Sequence, residues 1–120
     1  MSRVVHFEIM ADEPEKVLSF YNNVLGWEAE KWGDEEYWLV NTGSAELGIN
    51  GGIGRNRGGQ KVINTVDVAS IDDFCEKVTA AGGTIAVPKM PVPKVGWLAY
   101  ATDPEGNMFG AMQHDPNVEG

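Results

Sequence analysis

His6 and Glu8 stand two residues apart in the segment VVHFEI, a spacing that puts both on one face of an extended strand. Val5, Phe7 and Ile9 take the opposite face. An imidazole beside a carboxylate can exchange protons near neutral pH, orient a polar ligand, or offer two donors to a divalent metal. His6 and Glu8 are therefore the candidate catalytic pair, and His6 is the candidate metal ligand.

Other reactive residues narrow the choice. Cys75 is the only cysteine, so an intrachain disulfide and a cysteine zinc site are both excluded. It lies among apolar neighbours and reads as a small core residue. The segment GGIGRNRGGQ at 51–60 lacks the Gly-Lys-Ser/Thr ending of a phosphate loop, and a strand follows it where a helix is required. It reads as a connector with Arg55 and Arg57 as rim charges. No serine, histidine and carboxylate arrangement is visible. His114 falls in what reads as a frayed tail.

The elements that must position His6 and Glu8 follow from periodicity. The pair sits on an opening strand. Asp12 or Glu13 can cap the helix that follows, Pro14 suits its first turn, and Gly26 stops it. Val17, Leu18, Tyr21, Val24 and Leu25 recur on one face of that helix. Strands are expected at 27–32, 37–41 and 45–49, the last running on to Ile53. The pattern then restarts. A strand at 61–68 leads to a helix begun by Ser70, with Asp73 three residues on as a loose capping box and Gly82 as its end. Strands follow at 84–87, 97–102 and 107–112, with Asp103-Pro104-Glu105-Gly106 as a tight turn. The prolines of KMPVPKV suggest a stiff loop. The two halves repeat with a shift of about 57 residues in pattern, with little shared identity.

A chain of 120 residues supports one domain with a real core. Nine basic residues against 18 acidic give a net charge of −9, which disfavours nucleic-acid backbones and anionic membranes and is compatible with a cationic ligand. No apolar run reaches the length of a membrane span, and Met-Ser-Arg-Val-Val-His carries no signal-peptide pattern, so a cytoplasmic location is expected.

The duplicated βαβββ pattern, FYNNVLGW closing the first helix, YWLV, Gly51-Gly52-Ile53, AAGG and DPEGN together resemble the vicinal oxygen chelate superfamily. That superfamily includes glyoxalase I, bleomycin-resistance proteins and extradiol dioxygenases. The closest resemblance is to its small single-domain members related to lactoylglutathione lyase. The resemblance implies an α+β fold. Two βαβββ modules, about 1–53 and 61–113 with a glycine-rich connector at 54–60, form a curved mixed sheet around a cleft, with helices outside. It implies a homodimer as well. His6, Glu8, Thr65 and Asp67 then face the cleft, and Val66 and Val68 face the second helix.

The superfamily's metal enzymes carry ligands at four cleft-facing strand positions. Here His6 matches the first. The second falls between Gly48 and Gly52, where only Asn50 has a donor. The third falls at Ile63 and the fourth at Gly110. One match in four is short of the three or four protein ligands a stable site takes. Glu8, with Glu46 or Asp67, is the remaining way to add donors. This counts against glyoxalase I activity and makes a metal-free site the leading expectation.

Around the pair, Tyr37, Asn50, Thr65, Asp67, Trp97, Tyr100, Met108 and Met112 are the candidate ligand-binding residues. Indole and phenol rings would wall the cleft, and the two methionines, in phase with Gly110, would make an adaptable apolar floor. Two functions follow. One is a binding protein that holds a small organic molecule without a metal, as bleomycin-resistance proteins do. The other is a glyoxalase-related lyase, isomerase or dioxygenase that uses His6 and Glu8 as acid and base or around a divalent metal.

Overall fold

The computed structural model describes residues 1–119. The chain divides into two compact units: one runs from Val5 to Ile63, and the other takes Asn64 onward together with Met1–Val4.

The N-terminal unit holds β1 (Val4–Ala11), α1 (Pro14–Leu25), β2 (Glu28–Lys31), β3 (Tyr37–Asn41) and β4 (Gly51–Arg55). Its strand order is β2-β3-β4-β1, with β4 parallel to β1 and the other pairings antiparallel. The C-terminal unit repeats the plan with β5 (Val62–Asp67), α2 (Ile71–Ala80), β6 (Thr84–Val92), β7 (Gly96–Thr102) and β8 (Met108–His114). Its order is β5-β8-β7-β6, with β8 parallel to β5. Each unit is therefore the α+β βαβββ module read from the sequence. Among the described residues no helix is long and apolar enough to cross a membrane.

Local chemistry accounts for the helix ends. Pro14 opens α1, and Gly26 closes it in the left-handed region, its N–H donating to the Asn22 carbonyl at 2.9 Å. Ser70 caps α2 by accepting from the Asp73 N–H at 3.2 Å. The Gln113 side chain accepts from the Ile71 N–H at 2.9 Å, which satisfies a second unpaired donor of the first turn.

The helix-facing sides of the sheets carry the core. Ile53 and Val40 are buried in the N-terminal unit. Phe7 lies over Gly51, stacks near Trp27 at 5.4 Å between centroids, and Trp27 in turn stacks on Tyr21 at 4.8 Å. Val24 and Leu25 were expected in this layer but are exposed, as is Phe20. The stack of Trp27 on Tyr21 completes the packing one turn before the helix ends. In the C-terminal unit Ile71, Ala99 and Ala111 form the buried centre, with Val66, Val68, Phe74, Cys75 and Trp97 packed on it.

Four expected elements take a different form. The third strand of the first half does not occupy 45–49. Those residues form a loop closed by Thr42, which donates through Oγ1 to the Ile49 carbonyl at 2.7 Å. The strand is instead Gly51–Arg55, so the glycine-rich segment starts as a buried strand and becomes a connector only at Asn56, where Asn56 accepts from the Gly58 and Gly59 N–H groups. Arg55 is not a free rim charge: it pairs with Glu36 and bonds the Asp12 carbonyl, and holds the Glu36 carboxyl below its ordinary range. Lys89–Val92 continue β6 rather than form the expected stiff loop. Pro88 and Pro91 sit on an edge strand with register shifts, where a missing N–H is tolerated. The tail is docked: Asp115 donates to the Val95 carbonyl, Lys94 donates to the Val118 carbonyl, and Val118 is buried.

Ile71 has no exposed surface. Ile71→Ala should cost about 2–5 kcal/mol in urea unfolding. Leu47→Ala, at a fully exposed loop position, should stay within about 0.5 kcal/mol.

Candidate functional site

The face of the N-terminal sheet opposite α1 is built by strand register. Glu8 pairs with Gly52 and Met10 with Gly54 across β1 and β4; Tyr37 pairs with Gly54 and Leu39 with Gly52 across β3 and β4. With alternation, His6, Glu8, Gly52, Gly54 and Tyr37 share this face.

The two glycines decide its shape. A Cβ at Gly52 would overlap the Tyr37 hydroxyl, and one at Gly54 would stand 2.9 Å from the Tyr37 ring. The bare backbone of β4 is thus the floor on which the Tyr37 ring lies, and the hydroxyl fills the place a side chain at 52 would take. From there Tyr37 Oη reaches His6 Nε2 at 2.9 Å. Either atom can donate, according to the imidazole tautomer. Glu8 is buried beside them at 8% exposure.

Burial lowers the His6 pKa from its ordinary 6.5, and the Glu8 charge partly opposes the shift. The imidazole is therefore neutral at pH 7, with one donor and one acceptor nitrogen. A neutral imidazole linked to a phenol, beside a buried carboxylate, can accept a proton, hold a carbonyl or hydroxyl oxygen, or pass a proton between the two.

The other expected site residues are distributed as follows. Asn50 is not brought to His6. It precedes β4, and its side-chain oxygen accepts from the Thr42 N–H at 2.9 Å to close the 42–50 loop. In the C-terminal unit Thr65 and Tyr100 both pair with Gly110, and a Cβ there would lie 2.8 Å from Thr65 Oγ1 and 3.1 Å from the Tyr100 ring. Met108 and Met112 share that face by alternation along β8. Asp67 is engaged by His114 at 2.9 Å. Trp97 is a correction: it pairs with Gln113, packs on the α2 side, and carries the Lys89 ammonium 4.8 Å above its ring. Trp97 and Tyr100 are three residues apart, an odd spacing that sends their side chains to opposite faces. Gly52 and Gly54 were missed as site residues. The signal was the two-residue spacing of Gly52 and Gly54 in GGIG, which leaves one face of a strand without side chains.

The metal implied by the resemblance does not fit this donor set. Gly52 and Gly110 carry no side chain, and buried Ile63 offers no donor. Among the described residues, no group of three or more His, Cys, Asp or Glu side chains is placed to hold a metal ion.

Because Glu8 raises the His6 pKa against burial, Glu8→Gln should move the His6 midpoint lower still in an NMR titration. Below pH 6.5 the unfolded chain takes up a proton that the folded His6 refuses, so stability falls as pH drops from 6.5 to the folded midpoint and then levels. Melting temperatures across pH 7.5–5 should show this loss in the wild type and a smaller loss in His6→Gln.

Residues 3–110 match the family model described as the Glyoxalase/Bleomycin resistance protein/Dioxygenase superfamily. "Putative glyoxylase CFP32" of Mycobacterium bovis is 29% identical over 114 residues, covering 91% of this chain. The chain spans 43% of that relative's length. Among solved structures, a glyoxalase/bleomycin resistance protein/dioxygenase superfamily member from Vibrio splendidus superposes with a TM-score of 0.68 at 22% identity, covering 96% of this chain and 100% of that one. Methylmalonyl-CoA epimerase from Mycobacterium tuberculosis gives 0.65 at 13% identity, with 94% and 88% covered. At these identities the structural likeness speaks for the fold alone. With the βαβββ plan present in both units and the family match running over most of its length, the chain belongs to the glyoxalase/bleomycin resistance protein/dioxygenase superfamily.

Proposed function

We propose that this chain binds a small, neutral or cationic, oxygen-bearing organic molecule on the helix-free face of its N-terminal unit, without a metal. The observation that carries the reading is the 2.9 Å contact between His6 Nε2 and Tyr37 Oη on a glycine floor beside buried Glu8. The flat phenol offers an apolar contact, and the neutral imidazole offers a hydrogen bond to one ligand oxygen.

Charge supports the ligand class. Glu8 lies on this face, and the register of β2 and β3 adds Glu30 to it. The chain as a whole carries −9. An anionic ligand such as the methylmalonyl-CoA bound in another methylmalonyl-CoA epimerase structure of this fold would meet like charge, which disfavours it.

A second reading is catalytic. It is favoured by one specific observation, the lowered pKa of His6. A neutral imidazole next to a carboxylate is suited to take a proton from the carbon beside a carbonyl, in an isomerase- or lyase-type step.

The binding reading is tested by thermal shift and calorimetry with three probes: hydroxyacetone as a neutral carbonyl, an aromatic amine as a cation, and acetyl-coenzyme A as an anion. The first two should stabilise the wild type and fail to stabilise His6→Ala. Stabilisation by acetyl-coenzyme A alone, or a response that His6→Ala leaves intact, would reject it. Stoichiometric nickel, zinc or manganese that is lost in His6→Ala would support the metal-dependent alternative.

A further inference from the structure

We propose that Tyr37 is the proton-relaying residue of this site, taking a proton from a bound neutral carbonyl ligand while passing its own to His6. The inference rests on the catalytic reading above and adds the group that meets the ligand.

Access to His6 leads to this assignment. Nε2 is 2.9 Å from the Tyr37 hydroxyl, so that nitrogen is occupied and a proton reaches it by way of Oη. The hydroxyl itself is held in place. The Tyr37 ring lies against Gly54, and the space beside Gly52 that the oxygen fills would be closed by any larger residue. The phenol therefore stands on the sheet face at the point where β4 would otherwise project a side chain, and it faces the side away from α1.

The chemistry balances. A neutral phenol alone is a very weak base, because taking a proton without losing one would leave a strongly acidic oxonium. Coupling removes that obstacle. As the ligand's C–H proton moves to Oη, the original phenolic proton moves to Nε2, in the tautomer protonated at Nδ1. The C–H bond breaks and its electron pair delocalises onto the ligand carbonyl as an enolate. Tyr37 ends as a neutral phenol and His6 as an imidazolium. Glu8 offsets the new positive charge, in keeping with its tendency to favour protonated His6. Reversal returns a proton, exchanged with solvent while it resides on His6, to the same face of the enolate. Nothing is oxidised or reduced, and no further reactant is needed.

Gly52 is part of the same device. Its missing side chain leaves room for the hydroxyl, so Gly52→Ala pushes the oxygen off His6 while keeping the phenol in the protein. Tyr37→Phe does the converse, keeping the ring and removing the oxygen.

The test uses hydroxyacetone in D2O, with loss of its C–H signals followed by proton NMR and its binding followed by thermal shift. The wild type should exchange the C–H protons well above buffer. Tyr37→Phe, His6→Gln and Gly52→Ala should each lower the saturated rate by about 100-fold or more, the ordinary size of an acid–base contribution. Tyr37→Phe should weaken binding by no more than about tenfold, as for one lost hydrogen bond. A purely structural role would not separate rate from binding in this way. Binding without exchange, or exchange that survives in Tyr37→Phe, overturns the relay and leaves the binding reading standing. Absence of both stabilisation and exchange overturns the two together. Should Tyr37→Phe fail to fold, Gly52→Ala carries the same comparison with the phenol retained.

Discussion

Two missing side chains on one strand make the candidate site possible. Gly52 and Gly54 leave the backbone of β4 bare on the face shared with His6 and Glu8, and Tyr37 lies down on that surface. With any Cβ at 52 the phenol would have to swing away, and its oxygen could not stand 2.9 Å from His6. Glycine is ordinarily unfavourable inside a strand, where it lacks a side chain to pack. Here another residue's ring supplies that packing. On the opposite face Gly51 admits Phe7 in the same manner, so the strand is thin on both sides and buried along most of its length.

Burial and charge act on His6 in opposite directions. Loss of solvent favours the neutral ring, and the neighbouring carboxylate favours the charged one; burial is the larger effect. The site is therefore a neutral hydrogen-bonding pair rather than a cationic one, and it suits neutral or cationic ligands better than anions. This also explains why the family's metal pattern does not carry over. Metal binding needs several converging donors; beyond His6, the third and fourth positions hold Ile63 and Gly110, and Asn50 near the second is turned to Thr42.

The two units solve the same packing problem with different chemistry. Gly110 in β8 stands opposite Thr65 in β5 as Gly52 stands opposite Glu8, and in each unit a tyrosine ring lies against the glycine. Strand β5 has a threonine hydroxyl where β1 has a carboxylate, and Ile63 where the 57-residue repeat would place the counterpart of His6. The repeat conserves the shape of the face, while the histidine–tyrosine contact belongs to the N-terminal unit and the C-terminal unit pairs Asp67 with His114 instead.

Periodicity and punctuation alone determined the βαβββ plan, the two helices with their proline and glycine ends, and the shared face of His6 and Glu8. Each depends on residues near in sequence, and alternation or helical spacing is enough to place them. YWLVN shows this well, since Tyr37–Asn41 was legible to the residue. Tertiary structure decided what depended on register between distant strands. It placed the strand at Gly51–Arg55 rather than at 45–49, tied Asn50 to Thr42, turned Trp97 under α2, and docked the tail that had read as frayed. It also put Tyr37 on His6, 31 positions away in the chain. No local pattern encodes that contact, because it requires β1, β4 and β3 to pair in one register and two glycines to fall under one ring.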